Sequence, residues 1–202
     1  LLIQLRRLAC TTAVIAALSV VPAAEAQAQQ PEPSSSMGEV ASADLEASVS
    51  STLKANPGSV RTGPNTVLLE PGVMWVLPSE REASVRGLTG CPAGWLCGWT
   101  NADFAGGMMA IQQGTYVDYI NWWWNASTFE VRFCDHFTHC DLGPGTWNGI
   151  SNSISSVLNN TSVLWAPFYS LRNKANYYAY RGSPASYVGA KWNDSFTEAC
   201  AC

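Results

Sequence analysis

The sequence predicts an all-β fold, a two-sheet sandwich, and three observations carry that expectation. Residues 90 to 202 are punctuated by Gly, Asn and Ser and show no long helical period. Eight of the nine tryptophans lie there, Trp75 being the exception, so a core can be built from a few large rings. Finally, Trp99, Phe104 and Gly106 stand as an aromatic, four residues, an aromatic, one residue, then glycine. A hairpin that folds back over its own sheet needs one ring as a seat and a second as a lid. It also needs a residue without a Cβ where φ turns positive, and this run supplies all three.

The chain begins with Arg6 and Arg7, an apolar run over 8–21 and small residues ending Ala24-Glu25-Ala26 and Ala26-Gln27-Ala28. This predicts a signal peptide over 1–26, too short to span a bilayer, with cleavage after Ala26 or Ala28. Residues 27–41 are rich in Gln, Ala, Pro, Ser and Glu, with little to bury, and predict a disordered linker. Leu45, Val49 and Leu53 recur at four-residue intervals between Ser42 and Asn56, and Asn56-Pro57-Gly58 ends the pattern, so a short amphipathic helix is expected. Thr66-Val67-Leu68-Leu69 and Val73-Met74-Trp75-Val76-Leu77 flank Glu70-Pro71-Gly72, the pattern of a β-hairpin. Residues 42–88 are expected to form a leader or satellite packed on the main domain, residues 90–202.

Loss of 1–26 removes Arg6, Arg7 and Glu25, so the 11 basic and 15 acidic residues fall to 9 and 14 and the formal charge becomes −5. That balance argues against nucleic acid and anionic membranes as partners. Six cysteines remain, Cys91, Cys97, Cys134, Cys140, Cys200 and Cys202, an even number in an exported chain, and disulfides are expected. The short gaps favour local loops at Cys91–Cys97 and Cys134–Cys140. Cysteines one residue apart close only a strained ring, which leaves a distant partner open for Cys200 or Cys202.

An internal duplication is also expected. The segment from Asn148 to Val157 and the segment from Lys191 to Glu198 share a polar or acidic pair, two intervening residues and a hydroxyl residue. Each follows a Tyr-Val, at Tyr116-Val117 and at Tyr187-Val188. The Trp99, Phe104 and Gly106 spacing together with these polar clusters resembles the Greek-key motif of βγ-crystallin-type domains. With Cys91-Pro92-Ala93-Gly94-Trp95-Leu96-Cys97, the secretion signal and the second cysteine loop, it resembles the secreted actinobacterial metalloproteinase inhibitors, the thirty-sixth peptidase-inhibitor family. The resemblance covers about residues 90 to 160 and weakens beyond. Tyr169 to Tyr178 lacks the clean spacing, Ser151 stands where Asn or Asp is usual, and Glu198 replaces a serine.

The resemblance implies a βγ-crystallin-like Greek-key sandwich, to which the small N-terminal helix and hairpin read above are added, working by binding an extracellular metalloprotease. It implies that the loop Cys134-Asp135-His136-Phe137-Thr138-His139-Cys140 presents the recognised bond, because a closed loop keeps cut products from separating. Thermolysin-like enzymes seat an apolar residue after the scissile bond, which makes Phe137 a better anchor than Asp135. A structural staple without a target is the alternative reading of this loop. The resemblance also implies calcium sites. One would join Ser155 and the Ser153 carbonyl to Asp194, and the other would join Thr197 and the Ser195 carbonyl to Asn152, with weak affinity because one carboxylate is certain. The same hydroxyls could instead hydrogen-bond the folded hairpins.

Zinc at Cys134, His136, His139 and Cys140 is disfavoured, since exported cysteines oxidise and four ligands within seven residues crowd a tetrahedral centre. Trp122-Trp123-Trp124 in a strand would send alternate rings to opposite faces, either as core or as an exposed ring able to stack on a sugar or a partner. The sequons at Asn125, Asn160 and Asn193 are close to chance in an Asn-rich chain. Catalysis finds little support, because the two histidines share one small loop and no serine has a nucleophile-elbow context. The reading is therefore a secreted, monomeric inhibitor. A calcium- or carbohydrate-binding surface module of the same fold is the alternative.

Overall fold

The computed structural model describes residues 35–78, 90–134, 142 and 145–202, with side chains from residue 43 onward. Helix α1 (Ser35–Ala55) precedes β1 (Val60–Gly63), β2 (Thr66–Glu70) and β3 (Val73–Val76). There follow β4 (Trp95–Asn101), β5 (Ala105–Gln112), β6 (Tyr116–Asp118), β7 (Trp122–Asn125), β8 (Val131–Phe133) and β9 (Trp147–Gly149). The last strands are β10 (Ser156–Asn159), β11 (Trp165–Ser170), β12 (Ala175–Tyr180) and β13 (Glu198–Cys200). They pair antiparallel in three sheets, ordered β1-β2-β3-β5-β4-β10, β12-β11-β13-β6 and β8-β7-β9.

The two larger sheets form the expected all-β Greek-key sandwich. In the first half β5, β4 and β10 lie side by side, while β6 crosses to pair with β13 of the other sheet. The second half repeats the arrangement with β12, β11 and β13, and its chain crosses back at Ala185. There the Ala185 and Val157 amides donate to each other's carbonyls at 2.9 and 3.0 Å. Each half thus donates a strand-like piece to the other's sheet, and the duplication in the sequence is a structural one. Leu96, Met109 and Ile111 from the first sheet meet Ala166, Phe168 and Ala199 from the second in one core. Strands β7, β8 and β9 are inserted between the crossing strand β6 and β10.

Two boundaries differ from expectation. Helix α1 begins at Ser35, inside the 27–41 stretch read as linker, because Met37 and Ala41 extend the four-residue period of Leu45, Val49 and Leu53 backwards. The hairpin β2–β3 is joined edge-on to the main sheet. Strand β3 pairs with β5 from Val73↔Ile111 to Val76↔Met108. Trp75 is fully buried, and a Cβ on Gly107 would lie 2.3 Å from its ring, so the neighbouring strand needs glycine there. Residues 34–202 accordingly form one unit.

The six-stranded sheet is covered on both faces. Its outer face carries a second apolar cluster of Met74, Cys97, Trp99, Met108, Ala110 and Leu158, flanked by Cys91 and Phe104. The Cys91–Cys97 disulfide closes over this cluster. At the C-terminus Cys200 is bonded to Cys202, so neither reaches a distant partner. The reason is local: side chains two residues apart in extended chain share a face, and Ala201 between them is buried and held by bonds to Thr115 and Gly114.

Candidate functional site

The candidate loop leaves the fold from β8, an edge strand whose open side is sealed by a helix. Thr52, in the last turn of α1, and Asn56, the residue that follows its end, are four positions apart and face the same way. The Asn56 amide donates to the Val131 carbonyl at 2.6 Å, its oxygen accepts from the Phe133 amide at 3.0 Å, and the Thr52 hydroxyl accepts from the Val131 amide at 3.1 Å. These side chains do for β8 what a neighbouring strand would do, satisfying buried backbone groups that would otherwise be costly. On the other side β8 pairs with β7, and Trp122 meets Phe133 edge-on at 5.0 Å.

Cys134 follows β8 directly. It is buried and disulfide-bonded, and its amide donates to the Asn121 carbonyl at 2.8 Å. Asp135, His136, Phe137 and Cys140 lie outside the described residues. Beside the strand, the Arg132 guanidinium sits 5.1 Å from the Trp147 ring centre and 3.1 Å from the Glu130 carboxylate. The tryptophan triplet alternates: Trp122 and Trp124 are buried and Trp123 is half-buried. Trp124 stacks on Phe129 at 5.1 Å, so two of these rings build the insert's core.

The two polar clusters meet at the junction of the halves. Asn152 and Asp194 occupy matching positions, both with positive φ, 66° and 51°. The Asn152 amide donates to the Phe196 carbonyl at 3.0 Å, and the Asp194 amide donates to the Ile154 carbonyl at 3.3 Å, a reciprocal cross-link. The hydroxyls that follow are occupied. Ser155 Oγ donates to the Thr100 carbonyl at 3.1 Å, Ser195 Oγ to the Trp192 carbonyl at 2.7 Å, and Thr197 Oγ1 to the Tyr169 carbonyl at 3.3 Å. Ser153 Oγ bonds the Gly149 carbonyl. The Asp194 carboxyl lies against Ser155 of the other half, and partial burial raises its pKa while the neighbouring Ser155 hydroxyl and Asn193 amide work against that rise. The geometry thus juxtaposes the residues that resemblance grouped. The carbonyls of Ser153 and Ser195 accept no backbone hydrogen bond among the described residues. Among those residues no group of three or more His, Cys, Asp or Glu could hold a metal, so calcium here would rest on hydroxyls, carbonyls and one carboxylate.

The motif at Trp99 has Phe104 edge-on to it at 5.2 Å and Gly106 at φ +80°, where a Cβ would lie 2.2 Å from Thr100 Oγ1. Sequence reasoning missed two features. The helix seal was signalled by polar Thr52 and Asn56 at i, i+4 beside apolar Val49 and Leu53. The exposed rings of β11 and β12 were signalled by the alternation in Ala175-Asn176-Tyr177-Tyr178-Ala179-Tyr180. Tyr119 is fully buried, its hydroxyl has no hydrogen-bond partner among the described residues, and burial raises its pKa.

No helix among the described residues is long and apolar enough to cross a membrane. No curated protein and no solved structure matches the chain. Residues 86–181, which run from before β4 through β12 and include the Cys134 loop, match the family model of Peptidase inhibitor family I36. The domain that the cysteine loops and the Trp99 motif delimit is, over that span, similar to peptidase inhibitor family I36.

Proposed function

We propose that this protein is a secreted, monomeric inhibitor of an extracellular metalloprotease, acting by binding, with the Cys134–Cys140 loop as the inhibitory segment. The match to a peptidase inhibitor family supports inhibition as the general activity. The observation that carries the assignment to this loop is the double anchoring of β8, by β7 on one side and by Thr52 and Asn56 on the other. A segment that departs from a fixed strand through a bonded cysteine loses less conformational freedom on docking, which favours a tight complex. Phe137 is the apolar anchor in this reading. The acidic formal charge keeps nucleic acid out of the partner list, and the disulfides fit an oxidising compartment.

Titration of a thermolysin-type protease with the purified protein tests the proposal. Stoichiometric loss of proteolysis is expected, and full activity at a tenfold excess of protein would rule it out. Phe137→Ala should weaken inhibition by about tenfold, the loss of roughly 1.4 kcal/mol of apolar contact.

A second reading concerns calcium, favoured by the placement of Asp194 against Ser155 across the junction. Isothermal titration at millimolar calcium should give a weak binding isotherm. Absence of heat there would remove the site.

A further inference from the structure

The outer face of the β12-β11-β13-β6 sheet is an aromatic strip that the inhibitory reading does not use. Strand pairing sets Trp165 opposite Tyr180, and Trp165 stands edge-on to both Tyr180 and Tyr178, at 6.3 and 6.4 Å. All three rings are about half exposed: Trp165 is 52%, Tyr178 47% and Tyr180 55%. Alternation accounts for this, because Ala166, Phe168 and Ala179 take the inward positions and fill the core. Beyond Asn176 the strip continues as a groove of about 270 Å3 between Tyr169 and Tyr116. On its wall Tyr116 donates to Glu198 at 2.6 Å.

We propose that this face binds a neutral polysaccharide of β-linked pyranose units. The aromatic faces carry negative charge density and attract the C–H faces of sugar rings. The Asn176 amide, the Glu198 carboxylate and the tyrosine hydroxyls supply the donors and acceptors that sugar hydroxyls require. Among the described residues no Lys or Arg lines the groove, and the charge there is the Glu198 carboxylate, so anionic polymers and acidic peptides are repelled and a neutral ligand is favoured. From β12 to β6 the face spans three strand spacings, about 14 Å, which is long enough for an extended chain rather than a single sugar. The site lies on a different sheet from β8, so it is independent of protease inhibition.

The test is sedimentation of the full chain with insoluble chitin and cellulose, with starch granules as the α-linked comparison. Binding to at least one β-linked polymer is expected, with at least a tenfold weaker affinity for Trp165→Ala with Tyr180→Ala and an unchanged melting temperature. Asn176→Ala, which removes an exposed amide and its 3.4 Å bond to the Tyr178 hydroxyl, should weaken binding about threefold and serves where the double variant fails to fold. The proposal is overturned by unaltered binding of these variants, by binding to starch alone, or by no binding to any polymer. It is equally overturned if the strip mediates self-association, seen as a dimer in sedimentation velocity that Trp165→Ala abolishes. Protease inhibition by the double variant should equal that of the unaltered protein.

Discussion

The two halves of the sandwich share a topology and differ in what covers them. In the first half, β4 and β5 are buried on both faces, inwardly against the common core and outwardly by Phe104, Cys91 and Leu68. In the second half, β12 alternates between packed and exposed positions and leaves its aromatic side in water. The lid position of the second hairpin is Lys174, at φ 48°, where the first has Phe104 at φ 61°. Asn176 stands where the first half requires Gly106. Strands β1 to β3 and α1 add only to the first half and its insert. One repeat has therefore become a scaffold and the other has kept an open face, which is how a duplicated fold can carry two surfaces.

The strongest test of this asymmetry is at Trp75, the ring that locks the added strands to the first half. Trp75→Ala removes a fully buried indole and its bond to the Phe129 carbonyl at 3.0 Å, so a loss of about 4 kcal/mol is expected by chemical denaturation. A loss below about 1 kcal/mol would mean that the N-terminal strands are dispensable. Gly106→Ala should cost about 2 kcal/mol, since a side chain there meets both a positive φ and the Thr100 hydroxyl. The corresponding Asn176→Ala should stay within about 0.5 kcal/mol. Equal costs at the two positions would erase the distinction between the halves.

Asn56→Ala should cost about 2 kcal/mol by leaving the Val131 carbonyl and the Phe133 amide without partners, with faster hydrogen exchange at Phe133. Unchanged exchange there would show that the helix does not hold β8. The smallest effect is at Asp194. A carboxyl whose folded value is raised holds more protons when folded, so its contribution is fully present below the unfolded value and declines as pH rises through the folded value. Asp194→Asn keeps a residue that tolerates positive φ and should flatten the fall in stability that occurs as pH rises from the unfolded to the folded value of this carboxyl. A retained slope would assign it to other groups.

What could be read from the sequence was whatever is local. The Trp99 motif, the turn at Glu70-Pro71-Gly72 and the cysteine loop at Cys91 depend on residues close along the chain, and their spacing states their geometry. The seal of β8 by Thr52 and Asn56 joins residues more than seventy positions apart, and polar side chains on a helix face read equally well as a solvated edge. The start of α1 was obscured because Ser, Gly and Glu over 35–39 resemble linker composition although the apolar period continues through them. Trp122 to Trp124 could be read only as alternating. Which face is inward depends on the insert's other strands, a tertiary fact.

The proposed division of labour between a β8-centred inhibitory end and a separate aromatic face is tested most directly by hydrogen–deuterium exchange on the complex with a thermolysin-type protease. Slowed exchange confined to residues 131–140, with residues 165–180 unchanged, is the predicted result. Protection of residues 165–180 with no change at 131–140 would contradict it.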